Sequence, residues 1–416
     1  MTLTALTRCD HTGSAPPCLS SGDGGLDRPG RYRALQPKPD LPASSVLLLG
    51  PRGTGKSTWL RQHWPRSLVL DLLDPPTARS LQARPERLGE LIDARPDVEV
   101  VVIDEVQRVP ALLDVVHQRI EASPSPRRFV LTGSSARKLR RGATNLLAGR
   151  LARADMHPFM AAELGEAFQL KKALQIGLVP LVWAAPDAPT TLAAYASFYL
   201  REEVQAEALV RNVGAFARFL EAISFSHGGV LNLAEVAREC EVGRKTVEGY
   251  LEILEDLMLA FRVPVFTRRA RRQLVAHEKF YFFDTGIYRS LRPAGPLDRP
   301  EELEGHALEG MVAQHLRAWI GYRGGRDRLY YWRTRTGAEI DFIVYGTDSF
   351  AAFEIKRSSR VSPKDLRALK AFREDYPEAR VALLYMGRDA LMIDGIPVMG
   401  CDAFLRQLHP GAGLPV

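Results

Sequence analysis

The sequence predicts an α/β protein built in series, with a parallel sheet first, a helical domain next and a second α/β domain last. Three stretches carry that expectation. The first is Val46-Leu-Leu-Leu-Gly-Pro-Arg-Gly-Thr-Gly-Lys-Ser-Thr58, an apolar run, a glycine-rich loop and the start of a helical pattern. The second is Val98-Glu-Val-Val-Val-Ile-Asp-Glu105, a β-branched run of the kind buried on both faces of a parallel sheet. The third is an order of helix and strand patterns from Glu304 to Tyr385 that carries acids and lysines at regular positions.

At 416 residues the chain has room for two or three domains, each with its own core. Apolar content of 46% and charged content of 25% are those of an ordinary globular protein. The net charge of +7 leans toward an acidic partner such as DNA. Cys9, Cys18, Cys240 and Cys401 are scattered, without the paired spacing of a zinc site or a disulfide framework, which fits a reducing, cytoplasmic setting. No apolar stretch is long enough for a membrane span, and the start has no secretory pattern.

In chain order, residues 1–32 are rich in Gly, Ser, Pro and Asp and read as a disordered lead-in. Residues 33–160 read as the first domain. Gly50 to Ser57 fits G-x-x-x-x-G-K-[ST] between a strand and a helix, the context that a phosphate-binding P-loop requires. Gly50, Gly53, Thr54 and Gly55 turn backbone N–H groups toward phosphate oxygens, and Thr58 extends that cradle into the helix. Lys56 reaches the β- and γ-phosphates, and Ser57 ligates Mg²⁺, so ATP and Mg²⁺ are the expected ligands. A strand at 67–71 and a helical stretch at 78–94, broken at Arg84-Pro85, come next. Asp104 and Glu105 then end the second buried strand as a Walker B pair, Asp104 for the metal shell and Glu105 to polarise the attacking water. A helix at 111–122 leads to a strand at 127–135. There Thr132, Ser134 or Ser135 either senses the γ-phosphate or caps the next helix. Arg150 is either a finger arginine, in cis or from a neighbouring subunit of a homo-oligomer, or a surface residue.

These runs, with Leu131-Thr-Gly-Ser-Ser135, Gly149-Arg150 and His157-Pro-Phe159, resemble a large prokaryotic family. Its members join an AAA-type P-loop ATPase to a C-terminal domain of uncharacterised role. The resemblance continues through Tyr199-Leu-Arg-Glu-Glu203, Lys279-Phe-Tyr-Phe-Phe-Asp-Thr-Gly286 and Gly337-Ala-Glu-Ile-Asp341. One departure is the short, Ala-rich interval between His157 and Tyr199, where the family usually carries a longer helical insert.

Residues 161–225 read as a helical linker region and 226–292 as a winged-helix-like domain. Leu231 to Glu255 gives helix, a turn at Gly243, then a helix opening with Arg244, Lys245 and Thr246. Patterns at 260–266 and 279–283 read as paired strands. Around them Arg262, Arg268, Arg269, Arg271, Arg272, Lys279, Arg289 and Arg292 face only Glu278 and Asp284. That basic wing suggests phosphate contact. Glu248, Glu252 and Glu255 on the second helix keep a protein-interaction role open.

Residues 293–416 read as an α/β nuclease-like domain. A helix at 304–320 carries Glu309, a strand at 338–345 carries Asp341, and a strand at 350–356 carries Glu354 and Lys356. This is the order of a PD-(D/E)XK nuclease. Asp341 and Glu354, supported by Glu309, would hold Mg²⁺ that generates hydroxide. Glu354 and Lys356 lie two apart and share one strand face, so Lys356 would orient the water. The alternative is a tail kept for binding, its acids paired to Arg333, Arg335 or Arg357.

Overall fold

The computed structural model describes residues 33, 45–122, 127–134, 151–200, 202, 204, 212–268, 272, 274–275, 277–296 and 298–416. The expected lead-in at 1–32, together with Ser135, Arg150, Arg269 and Arg271, lies outside the described residues. Among the described residues no helix is long and apolar enough to cross a membrane.

The first unit alternates strand and helix. It runs β1 (Ser45–Leu49), α1 (Lys56–His63), β2 (Leu68–Asp71), α2 (Pro75–Ala83), α3 (Arg87–Asp93), β3 (Val100–Asp104), α4 (Leu112–Ala122), β4 (Arg128–Gly133) and β5 (Leu151–Asp155). The strands form one parallel sheet in the order β2-β3-β4-β1-β5. Arg84-Pro85 separates α2 from α3, as a residue locked before proline should. Because β1 lies between β4 and β5, the chain leaves β1 for the far edge of the sheet at β2. A crevice therefore opens at the carboxyl ends of β1, β3 and β4.

The helical region follows with α5 (Ala161–Leu164), α6 (Leu170–Ile176), α7 (Pro180–Trp183) and α8 (Ala188–Ala194), the last running into a π-helical turn, Tyr195–Tyr199. Next come α9 (Val213–Ser224), α10 (Leu233–Glu239) and α11 (Arg244–Asp256). Asn212 and Asn232 cap α9 and α10 by accepting from Ala215 N and Glu235 N. The strands β6 (Ala260–Val263) and β7 (Lys279–Phe282) pair antiparallel, ahead of α12 (Thr285–Leu291).

The tail begins with the long helix α13 (Pro300–Tyr322). It continues as β8 (Arg328–Arg333), β9 (Glu339–Tyr345), β10 (Phe350–Lys356), α14 (Arg367–Asp375), β11 (Arg380–Tyr385), β12 (Leu391–Ile393), β13 (Ile396–Gly400) and α15 (Cys401–Gln407). Its six strands form a mixed sheet in the order β12-β13-β11-β10-β9-β8, with α13 against β8, β9 and β10. One hydrophobic core runs from Phe159 to Leu414. It crosses the expected boundaries at 160–161, 225–226 and 292–293, so the helical region and the tail share one packed interior, while the cores of the first sheet take in Met258 and Tyr322 from beyond it.

Asp284 fixes a joint of that interior. Fully buried at the start of α12, its carboxylate accepts from Gly286 N at 2.9 Å, Ile287 N at 3.2 Å and Leu178 N at 2.6 Å. It thereby caps α12 and ties it to the turn after α6. Gly177, at φ +73°, comes so close that a Cβ there would lie 1.9 Å from the Asp284 Oδ1. Losing the cap and orphaning buried N–H groups should make Asp284→Ala less stable by about 2–4 kcal/mol. Asp284→Asn, which keeps one acceptor, should lose less. Urea unfolding followed by circular dichroism checks both, and equal loss in the two variants would remove the carboxylate from this role.

Candidate functional site

The crevice of the first sheet holds a cavity of about 1000 Å³ lined by Gly53, Thr54, Gly55, Lys56, Ser57 and Thr58 on one side and Glu105, Gln107 and Ser134 on the other. Its walls include Trp59, Leu73, Phe159 and Leu181. Gly53 and Gly55 take φ of +78° and +88°, which lets the loop turn into α1. Gly50 abuts Met156, where a Cβ would lie 2.5 Å from the backbone oxygen. The P-loop residues expected to bind nucleotide are thus together at the amino end of an eight-residue helix.

Their side chains are already paired. The Lys56 ammonium, 5% exposed, donates to the Gly50 carbonyl at 2.7 Å and the Pro51 carbonyl at 3.3 Å, and lies 3.9 Å from Glu105 Oε1. Ser57 Oγ donates to Asp104 Oδ2 at 2.6 Å. The other Asp104 oxygen accepts from the Thr132 hydroxyl, which also accepts from Glu105 N at 3.0 Å. Thr132 therefore braces the acid pair itself. Glu105 sits at φ +61°, a left-handed conformation that costs a non-glycine residue about 1–2 kcal/mol. Gln107, a residue the motif spacing does not single out, donates from Nε2 to the Glu105 carboxylate and to Ser134 Oγ at 3.1 Å. In the sequence it appears only as the last residue of Ile103-Asp-Glu-Val-Gln107, one of the runs that carry the family resemblance, with no role attached.

The helical region closes over the loop. Leu181 N donates to the Gly53 carbonyl at 3.1 Å, and the Tyr195 hydroxyl donates to the Arg52 carbonyl at 2.7 Å. The Arg52 guanidinium stacks over Tyr199 at 5.0 Å and pairs with Glu202 at 3.7 Å. Arg150, the finger candidate, lies outside the described residues.

A second cluster lies in the tail. Glu309 from α13 and Glu339 and Asp341 from β9 meet around one cation, and Glu354 and Lys356 of β10 lie beside Asp341. Lys356 Nζ lies 2.6 Å from Glu354 Oε1. Arg333 reaches Glu339 at 3.5 Å and Arg357 binds Glu304, but the cation at Glu309 and Asp341 is neither of them. It is Lys279, counted from sequence among the wing's bases. Its side chain is 3% exposed, and its ammonium lies 2.9 Å from Glu309, 2.5 Å from Glu339 and 3.5 Å from Asp341. Tyr281, from the same strand, donates its hydroxyl to Glu309 at 2.6 Å. Burial alone would lower the Lys279 pKa, but Tyr281, Glu309, Asp341 and Glu339 outweigh it and hold the group charged well above its ordinary range. Burial, with Glu309 beside it, pushes the Asp341 carboxyl up to about 6. Burial and the neighbouring Asp341 also raise Glu354. Among the described residues no group of three or more His, Cys, Asp or Glu side chains is disposed to hold a metal ion.

Several other wing bases are also engaged within the chain. Arg262 binds Glu255 and Glu278, Arg272 binds Asp375 and Glu374, and Arg292 binds Asp298. Arg268 lies over the Tyr345 ring at 5.1 Å.

Comparison with known proteins matches three successive segments. Residues 43–165 match the model of an AAA domain, and residues 167–298 and 304–404 match two domains of unknown function, DUF8612 and DUF4143. The uncharacterized proteins Rv2008c of Mycobacterium tuberculosis and Mb2031c of Mycobacterium bovis are each 29% identical over 353 residues, 83% of this chain and 77% of theirs. Among solved structures, the replication initiator DnaA bound to AMPPCP and single-stranded DNA aligns over 51% of this chain and 82% of its own, at 13% identity and a TM-score of 0.25. AMPPCP-bound DnaA from Aquifex aeolicus aligns over the same shares at 12% identity and a TM-score of 0.26. The sheet order, the glycine loop with its facing acids and the AAA model agree: residues 43–165 form an AAA-type P-loop ATPase domain.

Proposed function

We propose that this chain is a Mg²⁺-dependent ATPase that acts as a nucleotide-driven switch on DNA. The observation that carries the catalytic part is the convergence of Lys56, Ser57, Glu105 and Ser134 on one cavity, with Asp104 bonded to Ser57 behind its wall. The oxygen-only donors Ser57 and Asp104, 2.6 Å apart, fit a hard divalent ion. Held there, Mg²⁺ would neutralise charge on the β- and γ-phosphate oxygens. Lys56 exchanges its two loop carbonyls for phosphate oxygens when nucleotide enters, and the loop N–H groups orient the phosphate chain. Glu105 accepts the proton of the attacking water. Gln107 holds that carboxylate in place and links it to Ser134, which would register the γ-phosphate. Arg150 would complete the site in cis or from a neighbouring copy.

DNA is supported by the chain's +7 charge and by the pairing of a helix-turn-helix pattern with the β6–β7 wing. With Arg262, Arg272, Lys279 and Arg292 engaged within the chain, phosphate contact at the wing is assigned to Arg268 and Arg289, together with Arg269 and Arg271, which lie outside the described residues. A second reading, in which the nuclease-like tail binds without cutting, is favoured by the position of Lys279 among its acids.

Glu105→Gln should keep ATP affinity and lose about 100-fold or more in kcat, as expected for a missing general base. Gln107→Ala should lose about 5–10-fold in kcat with KM little changed, the cost of one positioning hydrogen bond. Steady-state phosphate release at saturating Mg²⁺-ATP measures both; parental turnover in Glu105→Gln would strip Glu105 of its role. For DNA, replacing Arg268, Arg269 and Arg271 together by Ala should flatten the slope of log affinity against log salt by up to about 3. Fluorescence anisotropy on duplex DNA reads that slope, and no change would place any DNA contact away from the wing.

A further inference from the structure

A divalent ion in a nuclease-like site needs several carboxylate oxygens turned toward one open position. The tail does not offer that. Both Asp341 oxygens are already engaged, Oδ2 by Ile355 N at 2.8 Å and Oδ1 by the Lys279 ammonium at 3.5 Å. Glu309 gives one oxygen, Oε1, both to the Lys279 ammonium and to the Tyr281 hydroxyl. Glu354 is drawn to Lys356 through one oxygen, and its other oxygen is buried with no hydrogen-bond partner. The expected metal ligands Glu309, Asp341 and Glu354 therefore do not fit a metal ion in this arrangement. What fits their centre is a cation already there.

We infer that Lys279 is the resident cation of the tail's carboxylate cluster, standing where a nuclease of this architecture would hold its metal. This inference rests on the nuclease-like reading of the tail and is independent of ATP hydrolysis. Four carboxylates share a largely buried space, and buried carboxylates are tolerated only when paired. Lys279 opens β7, a strand outside the tail's own sheet, and its ammonium meets Glu309, Glu339 and Asp341 at once. The Tyr331 ring, 5.4 Å from the ammonium, covers another side of it. An ammonium fixed by its own strand offsets charge at Glu309, Glu339 and Asp341 with no exchangeable ion, while Lys356 meets Glu354 and Arg333 meets Glu339. It also pins the β6–β7 pair to α13 and β9. A tail so filled has no place for the metal-bound hydroxide that cleavage would need, so it recognises its partner without cutting it.

The test counts bound Mn²⁺ by electron paramagnetic resonance in the full chain without nucleotide. Wild type and Asp341→Asn should bind the same number of ions, because the tail's acids contribute none. Lys279→Met, which keeps the apolar stem and removes the charge, should gain about one Mn²⁺ per chain. Adding Asp341→Asn to it should abolish that gain. Mn²⁺ in wild type that Asp341→Asn removes would overturn the inference, as would a folded Lys279→Met that gains none. If Lys279→Met does not fold, the comparison of wild type with Asp341→Asn still decides. DNA cleavage by wild type that Asp341→Asn abolishes would also overturn it. ATP turnover, measured on the same samples, stands or falls separately.

Discussion

The bond from Leu181 N to the Gly53 carbonyl is where the two halves of this protein meet the nucleotide site together. A P-loop must keep its N–H groups free for phosphate, so a neighbouring domain can hold its backbone only through the carbonyls. Here Leu181 takes the carbonyl of Gly53 and Tyr195 that of Arg52. Both donors belong to the helical region, and Gly53 has no Cβ because Leu181 and Tyr195 stand at contact distance from it. The phosphate loop therefore has walls on two sides, its own sheet and the helices that follow.

From that contact a continuous line of packed and hydrogen-bonded groups leads into the tail. Leu178, three residues before Leu181, donates to Asp284. Asp284 caps α12 just after β7, and β7 begins with Lys279, seated among Glu309, Glu339 and Asp341. The shared core from Phe159 to Leu414 makes the same connection in apolar terms. Signalling along such a line requires two arrangements of its members. The strained Glu105, held by Gln107 beside Ser134, is a natural place for one of them to begin.

What the sequence made legible follows from range. The P-loop and the acids at 104–105 could be read because their function is encoded in spacing over a few residues and the flanking strands are uniformly apolar. The helix–turn–helix pattern and the order of the tail's elements were legible for the same reason. Strand β5 escaped notice because Leu-Ala-Arg-Ala-Asp, at the sheet's edge, alternates charge with small residues and looks like a loop. The role of Gln107, part of the Ile103-Asp-Glu-Val-Gln107 run, was hidden because one of its partners, Ser134, lies 27 residues on. Lys279 was misread as surface charge, since a lysine among wing arginines looks solvent-facing. Only folding reveals partners 30 and 62 residues away. Long-range pairing of charges is the part of a structure that local pattern does not carry.

The two acidic centres would then answer differently to the ionic composition of their surroundings. On the proposed function, the nucleotide centre would borrow its cation from solution with each ATP, so chelation or magnesium scarcity would silence it. Lys279 is attached to the backbone and cannot be chelated or exchanged for manganese or calcium. Its cluster would hold the same shape in a metal-starved cell as in a replete one, while the nucleotide-binding half would wait for magnesium.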